Sequence, residues 1–161
     1  MKRSYVLTDE IIFDAKPDAV PFNYRISYKI AQLILILEFT ARGGCSLMKL
    51  QMISTALSTT SDREKLWEFA NNNTNSYTVV RFDPAVNRAV KYAIAEGLLT
   101  QQKNGLFRLA KKGKEFMKII MKDPNLLSSE KKYLFLLSNK LTEEKIKELT
   151  SFWRYTNDKD K

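Results

Sequence analysis

The stretch from Arg81 to Gly113, RFDPAVNRAVKYAIAEGLLTQQKNGLFRLAKKG, constrains the fold more than any other part of the chain. Asp83 is a residue type that caps helix N-termini, and Pro84 stands at the first helical position, where its missing N–H costs nothing. Val86, Ala89, Val90, Ala93 and Ile94 then recur at the spacing of one buried helical face. Gly97 supplies the stop, since glycine enters the left-handed cap conformation without steric cost. Leu98 to Lys103 and Leu106 to Leu109 read as strands. Asn104-Gly105 between them predicts a two-residue type I′ hairpin turn. Lys112 to Met121 follows as a second helix, with Phe116, Ile119 and Ile120 expected inward.

This order resembles the second half of a winged-helix domain, with the hairpin as the wing. The strings that carry the likeness are AIAEGLL (93 to 99), NGLFRLA (104 to 110) and KKGKEF (111 to 116). Winged-helix proteins often show a Leu-Thr-x-Lys-Gly step after the wing. Here Ala110 replaces the threonine, so the usual cap of the following helix is missing. The expected class is mainly α with a small β wing (α+β): a winged-helix domain with an insertion before its recognition-like helix and extra helices at the C-terminus.

Residues 1–22 read as an extended N-terminal arm with two apolar triplets, Tyr5-Val6-Leu7 and Ile11-Ile12-Phe13, and prolines at 17 and 21. Such an arm packs on the body or on a partner. The winged-helix domain is expected over 23–122. Asn23 is the expected cap of a helix from Tyr24 to Ala41, with Ile26, Ile30, Leu33, Ile34 and Leu37 as its stripe. Leu35, Ile36 and Phe39 widen the stripe until the helix is apolar nearly all round, so it is either central to a core or covered by a partner. Arg42-Gly43-Gly44 ends it. Ser46 caps the next helix, Leu47 to about Leu57, with Leu50, Ile53 and Leu57 inward.

A winged helix would now turn within a few residues into its recognition helix. About two dozen residues intervene instead. Ser61-Asp62-Arg63-Glu64 reads as a capping box for a helix to about Ala70 bearing Leu66, Trp67 and Phe69. An Asn-rich loop and a strand from Tyr77 to Phe82 follow. Beyond the wing, Ser128 is expected to cap a helix from Ser129 to Leu137 with Leu134 and Leu137 inward. Thr142 caps a last helix, Glu143 to about Trp153, carrying Ile146, Leu149, Phe152 and Trp153. These make a C-terminal helical extension over 123–156, and 157–161 reads as a frayed tail.

The chain has 161 residues, 44% of them hydrophobic and 28% charged, which suits one domain with a real core. No apolar run reaches bilayer-spanning length, the N-terminus does not read as a signal peptide, and the single Cys45 closes no internal disulfide, so a cytoplasmic protein is expected. The absence of histidine removes His-dependent triads and His-based zinc sites, and the five glycines form no phosphate-cradling loop. On these grounds neither an enzyme nor a cofactor or metal is expected. The net charge is +9, and between Arg81 and Lys122 ten Lys or Arg face only Asp83, Glu96 and Glu115. A polyanion or plain solvation accounts for such a segment. Arg88, Lys91, Lys103, Arg108, Lys111, Lys112 and Lys114 are the expected nucleic-acid contacts, of the phosphate-neutralising kind. Glu96 beside the wing would repel DNA locally.

The fuller pattern, Arg81-Phe82-Asp83-Pro84, Asn87-Arg88-Ala89, Ala93 to Leu98, Asn104 to Leu109 and Lys112-Gly113, resembles the small middle components of bacterial ABC three-component defence systems and of the related Lamassu systems, over about residues 20 to 120. The resemblance implies a non-catalytic subunit that bridges an SMC/Rad50-like coiled-coil ATPase to an effector, often a nuclease, with foreign double-stranded DNA as trigger. Leu35, Ile36, Phe39, Trp67 and Trp153 are the expected partner contacts. A stand-alone dimeric winged-helix transcription regulator, and a structural adaptor whose basic face is covered by protein, are the alternative readings.

Overall fold

The computed structural model describes residues 25–72 and 81–159. The described chain is mostly helical with a small two-stranded antiparallel sheet, an α+β arrangement. In order come α1 (Ile26–Thr40), α2 (Leu47–Ala56), α3 (Thr60–Asn72), α4 (Pro84–Ala95), β1 (Leu99–Gln101), β2 (Phe107–Leu109), α5 (Lys111–Lys122), α6 (Ser128–Leu137) and α7 (Glu143–Lys159). Among these helices none is long and apolar enough to cross a membrane. The arm over 1–22, the Asn23 cap and residues 77–80 of the expected strand lie outside the described residues. Arg81 and Phe82 belong to no strand.

The core is built around α1. It packs on α2, α4, α5, α6 and β2, which accounts for its lack of a polar face. Leu33, Ile34, Leu35 and Ile36 are all fully buried. Each such side chain contributes about 1.5–3 kcal/mol relative to exposure. Leu35 and Ile36 were expected to meet a partner. The chain's own core encloses them instead, because α2, α4, α5, α6 and β2 all pack on α1. The expected winding start also moves: Arg25 is the N-cap and makes no side-chain cap bond, and Ile26 is exposed rather than inward.

α4 begins and ends as its sequence requires. Asp83 Oδ1 accepts from Ala85 N at 2.9 Å. At the other end Leu98 N donates to Ala93 O at 2.8 Å and Gly97 N to Ile94 O at 3.0 Å, a Schellman closure with Gly97 left-handed. Ala85, Val86, Ala89, Val90 and Ala93 face the core. Ile94, at the edge of that stripe, stays exposed.

The hairpin differs from expectation at its turn. Gly105 N donates to Gln102 O at 2.9 Å and Gln102 N to Leu106 O at 2.8 Å, while Gly105 alone has positive φ, at 83°. The loop is therefore three residues, Lys103-Asn104-Gly105, with a bulge at the glycine, and not a type I′ pair. Leu99 pairs with Leu109 and Gln101 with Phe107. Cys45, between α1 and α2, adds a single rung: its N donates to Phe107 O at 3.0 Å and its O accepts from Phe107 N at 2.8 Å.

α5 has no side-chain cap, in keeping with Ala110. Its first turn is pressed onto the backbone of Leu98, just ahead of β1, where a Cβ on Gly113 would clash with the Leu98 carbonyl oxygen. That contact fixes the inward stripe as Gly113, Met117 and Ile120, one and two turns apart. Phe116 and Ile119 fall on its flank and are exposed, contrary to expectation.

Two further helix starts are corrected. α3 is capped by Thr59, whose Oγ1 accepts from Asp62 N at 3.1 Å, so Ser61 is already helical. α6 starts one residue early because Leu127 takes a left-handed conformation, and Ser128 does not cap it. Phe152 of α7 is exposed, whereas Ile146 and Leu149 are buried, and Lys145 N donates to the Thr142 hydroxyl as expected. Residues 157–159, expected to fray, continue α7. α6 and α7 send Leu134, Leu137, Ile146 and Leu149 into the same core as α1, so the C-terminal helices complete that core.

Candidate nucleic-acid interface

A polar spine inside the molecule sets where α4 lies. Lys29, buried on α1, places Nζ 3.0 Å from Asp83 Oδ2 and donates to Ser54 Oγ of α2 at 3.2 Å. Ser54 Oγ donates to Gln32 Oε1 at 2.6 Å; Gln32 Nε2 donates to Tyr28 OH at 3.4 Å, and Tyr28 OH to Glu130 Oε1 of α6 at 2.8 Å. Burial, and then the Glu130 carboxylate, push the Tyr28 phenol up. A second clamp comes from Gln51 of α2. Its Oε1 accepts from Asp83 N at 2.9 Å, and its Nε2 donates to Asp83 O at 3.1 Å and Asn87 Oδ1 at 3.0 Å. The first turn of α4 is therefore held by both α1 and α2.

The sequence reading did not single out Lys29, Gln32, Gln51 or Ser54. Its available signal was polar residues three apart on helices otherwise packed inward: Lys29 and Gln32 on α1, Gln51 and Ser54 on α2. Lys49 behaves in the same way, buried with Nζ donating to Thr40 O at 2.8 Å.

With that anchor, α4 turns Arg88, Lys91 and Tyr92 outward. Lys103 is exposed at the hairpin loop, and Lys111 and Lys114 are exposed on α5. Lys112 is exposed too, but its Nζ donates to Glu96 O at 3.0 Å and so closes the C-terminal end of α4, where a cation is favoured. Arg108 is organised by the hairpin: with the Gln102 amide oxygen turned towards it, Nε and Nη1 donate to Gln102 Oε1 at 2.8 and 3.0 Å. The Gln102 amide nitrogen then donates to Asn104 Oδ1 at 3.2 Å. Among the described residues none of the seven cations is ion-paired with a carboxylate.

Arg108 and Lys114 come together in one cleft of ≈ 480 Å³. Its walls are the end of α1 with Glu38 and Ala41, the Gly43-Gly44 loop, the hairpin with Thr100 and Gln102, and α5. Arg88 and Lys91 lie one helical turn apart on the outer face of α4, and neither lines this cleft.

The expected partner contacts divide. Leu35 and Ile36 are interior. Phe39 is half-buried and meets the exposed Phe135 edge-on, with ring centroids 6.5 Å apart and planes at 83°. Trp67 is half-buried beneath the Lys140 ammonium, 4.0 Å from the ring centroid. Trp153 is half-buried against the core. Phe116, Ile119, Phe135 and Leu136 are exposed. Sequence periodicity placed the first two inside and gave no role to the others.

Cys45 is fully enclosed beneath the hairpin, and burial pushes its thiol up to about 12; Lys49 pulls the other way and Glu143 adds to the rise. Glu143 also accepts from Ser46 N at 2.9 Å, tying α7 to the start of α2. Among the described residues no three His, Cys, Asp or Glu side chains gather as metal ligands. Comparison with known protein families, with characterised proteins and with solved structures returns no match.

Proposed function

We propose that this chain is a non-catalytic winged-helix accessory subunit that contacts double-stranded DNA without sequence preference and joins a coiled-coil SMC-like ATPase to an effector nuclease in anti-phage or anti-plasmid defence. The observation that carries the DNA contact is the set of seven exposed cations on α4, the hairpin and the start of α5, none ion-paired with a carboxylate among the described residues. Such charge attracts phosphates and gives binding that weakens steeply with salt.

The winged-helix reading is supported by the Cys45 rung. It lies between α1 and α2 and pairs with β2, so the order is helix, short strand, helix, helix, hairpin, with α3 as the added element. The assembly reading is supported by the resemblance carried by residues 81–113 and by the exposed apolar side chains Phe116, Ile119, Phe135 and Leu136.

The test is recovery of the tagged protein from its native host, with mass spectrometry of what accompanies it. A coiled-coil ATPase in near-stoichiometric amount is the expected result. Recovery of a homodimer that selects one palindromic sequence would replace this reading with that of a transcription regulator.

A further inference from the structure

The cleft between α1, the Gly43-Gly44 loop and the hairpin has features that a duplex-phosphate track does not need. Its lining includes a carboxylate, Glu38, beside the two cations Arg108 and Lys114. On a surface built only for phosphates that carboxylate opposes binding. A ligand with both anionic and donor groups uses all three.

We propose that this cleft binds a single nucleotide unit, either free or as an unpaired residue of a strand. Arg108 and Lys114 take the phosphate. Arg108 is pre-oriented by a neutral amide, so Gln102 fixes its plane without cancelling its charge. The Lys114 and Glu38 side chains make no hydrogen bond or ion pair among the described residues, so both are available. Glu38 accepts from sugar hydroxyls or an exocyclic amine, a pairing in which carboxylates serve ribose recognition elsewhere. Thr100 adds a polar group, while Leu37, Ala41 and Leu109 give an apolar wall for a base.

The loop is shaped for this opening. Gly44 has φ +124°, and a Cβ there would lie 2.7 Å from Leu106 Cβ, so the backbone runs close against the hairpin. The volume of ≈ 480 Å³ falls within the about 300–1,000 Å³ typical of small-ligand sites. The inference goes beyond the duplex contact proposed above and does not depend on it.

The experiment is fluorescence anisotropy of the full chain with three probes: a labelled adenosine monophosphate, a labelled oligoadenylate RNA strand and a labelled blunt duplex. Binding of the free nucleotide, or of the strand alone, identifies which source the cleft takes. Arg108→Gln and Lys114→Gln are expected to weaken that binding at least tenfold. Glu38→Gln is expected to weaken it about tenfold while leaving duplex binding undiminished, which separates this site from the duplex surface. All three side chains are exposed, and circular dichroism melts of the variants establish that they fold. Failure of both small probes to bind, or binding indifferent to the three substitutions, overturns the proposal whatever the duplex does.

Discussion

Lys29 Nζ lies 3.0 Å from Asp83 Oδ2, joining the central helix to the N-cap of α4 across two intervening helices. The pair is lopsided: Lys29 is 2% exposed and Asp83 28%. That asymmetry decides what each substitution does. Asp83→Asn keeps an oxygen for Ala85 N but leaves a buried ammonium without its counter-charge, which costs about 3 kcal/mol. Lys29→Met leaves a carboxylate that water already reaches, and costs about half as much. In the double variant the losses are expected to fall short of their sum, as read from urea unfolding curves. Equal single losses that add without coupling would show the pair to be energetically idle.

Two glycines of the hairpin region should respond differently to alanine. At Gly105 a Cβ meets open space, so only the left-handed backbone, φ 83°, opposes it, and the cost is about 1 kcal/mol. At Gly113 the Cβ would strike Leu98 O, so α5 must lift from the Leu98 backbone, a cost of about 3 kcal/mol. Urea midpoints order the two. A Gly113→Ala protein as stable as the Gly105→Ala protein would contradict the close approach of α5 to Leu98.

The duplex surface has a measurable signature in salt. Arg88→Ala with Lys91→Ala should lower the slope of log K against log salt by about 2, since each lost phosphate contact removes about 0.9. Lys112→Ala should change the slope less, because its ammonium is engaged with Glu96 O. Its main effect should be on thermal stability, through the end of α4. An unaltered slope in the Arg88 and Lys91 variant would place the DNA surface off α4.

Cys45 should resist alkylation in the folded protein and react freely in denaturant, because its thiol is enclosed and its thiolate disfavoured. The same burial gives an alkaline weakness. Its folded pKa, about 12, lies above the ordinary 9.0, so above pH 9 the unfolded chain has lost a proton that the native state retains. Stability contributed by the neutral thiol is complete below about pH 9 and falls through pH 12, with a slope of up to about 1.4 kcal/mol per pH unit. Cys45→Ala should flatten the decline in thermal midpoint over that window. An unchanged profile would assign the decline to other groups.

Local chemistry sufficed where the cause is local. Asp83-Pro84 and Gly97 determined both ends of α4, because capping depends on a few adjacent dihedral angles and donors. Thr142 at the start of α7 is legible for the same reason. Periodicity found α1, α2 and the inward residues Leu50, Ile53, Leu134 and Leu137. It mistook Phe116 and Ile119, since an apolar residue beside a stripe reads like one within it. It also left α1 open between a core helix and a partner-covered one.

Those matters belonged to the tertiary structure. Gly113 against Leu98 rotates α5 so that only a narrow stripe meets the core, and the packing of neighbouring elements on α1 leaves Leu35 and Ile36 fully buried. Lys29 and Gln32 are polar residues that a sequence assigns to solvent. They are buried here because Ser54 and Asp83, far along the chain, satisfy them. The sequence by itself determined which segments become helix or hairpin and where most of the positive charge lies. Which faces turn inward, and which charges meet in the cleft beside Glu38, depended on contacts between distant segments, and burial has no local signature.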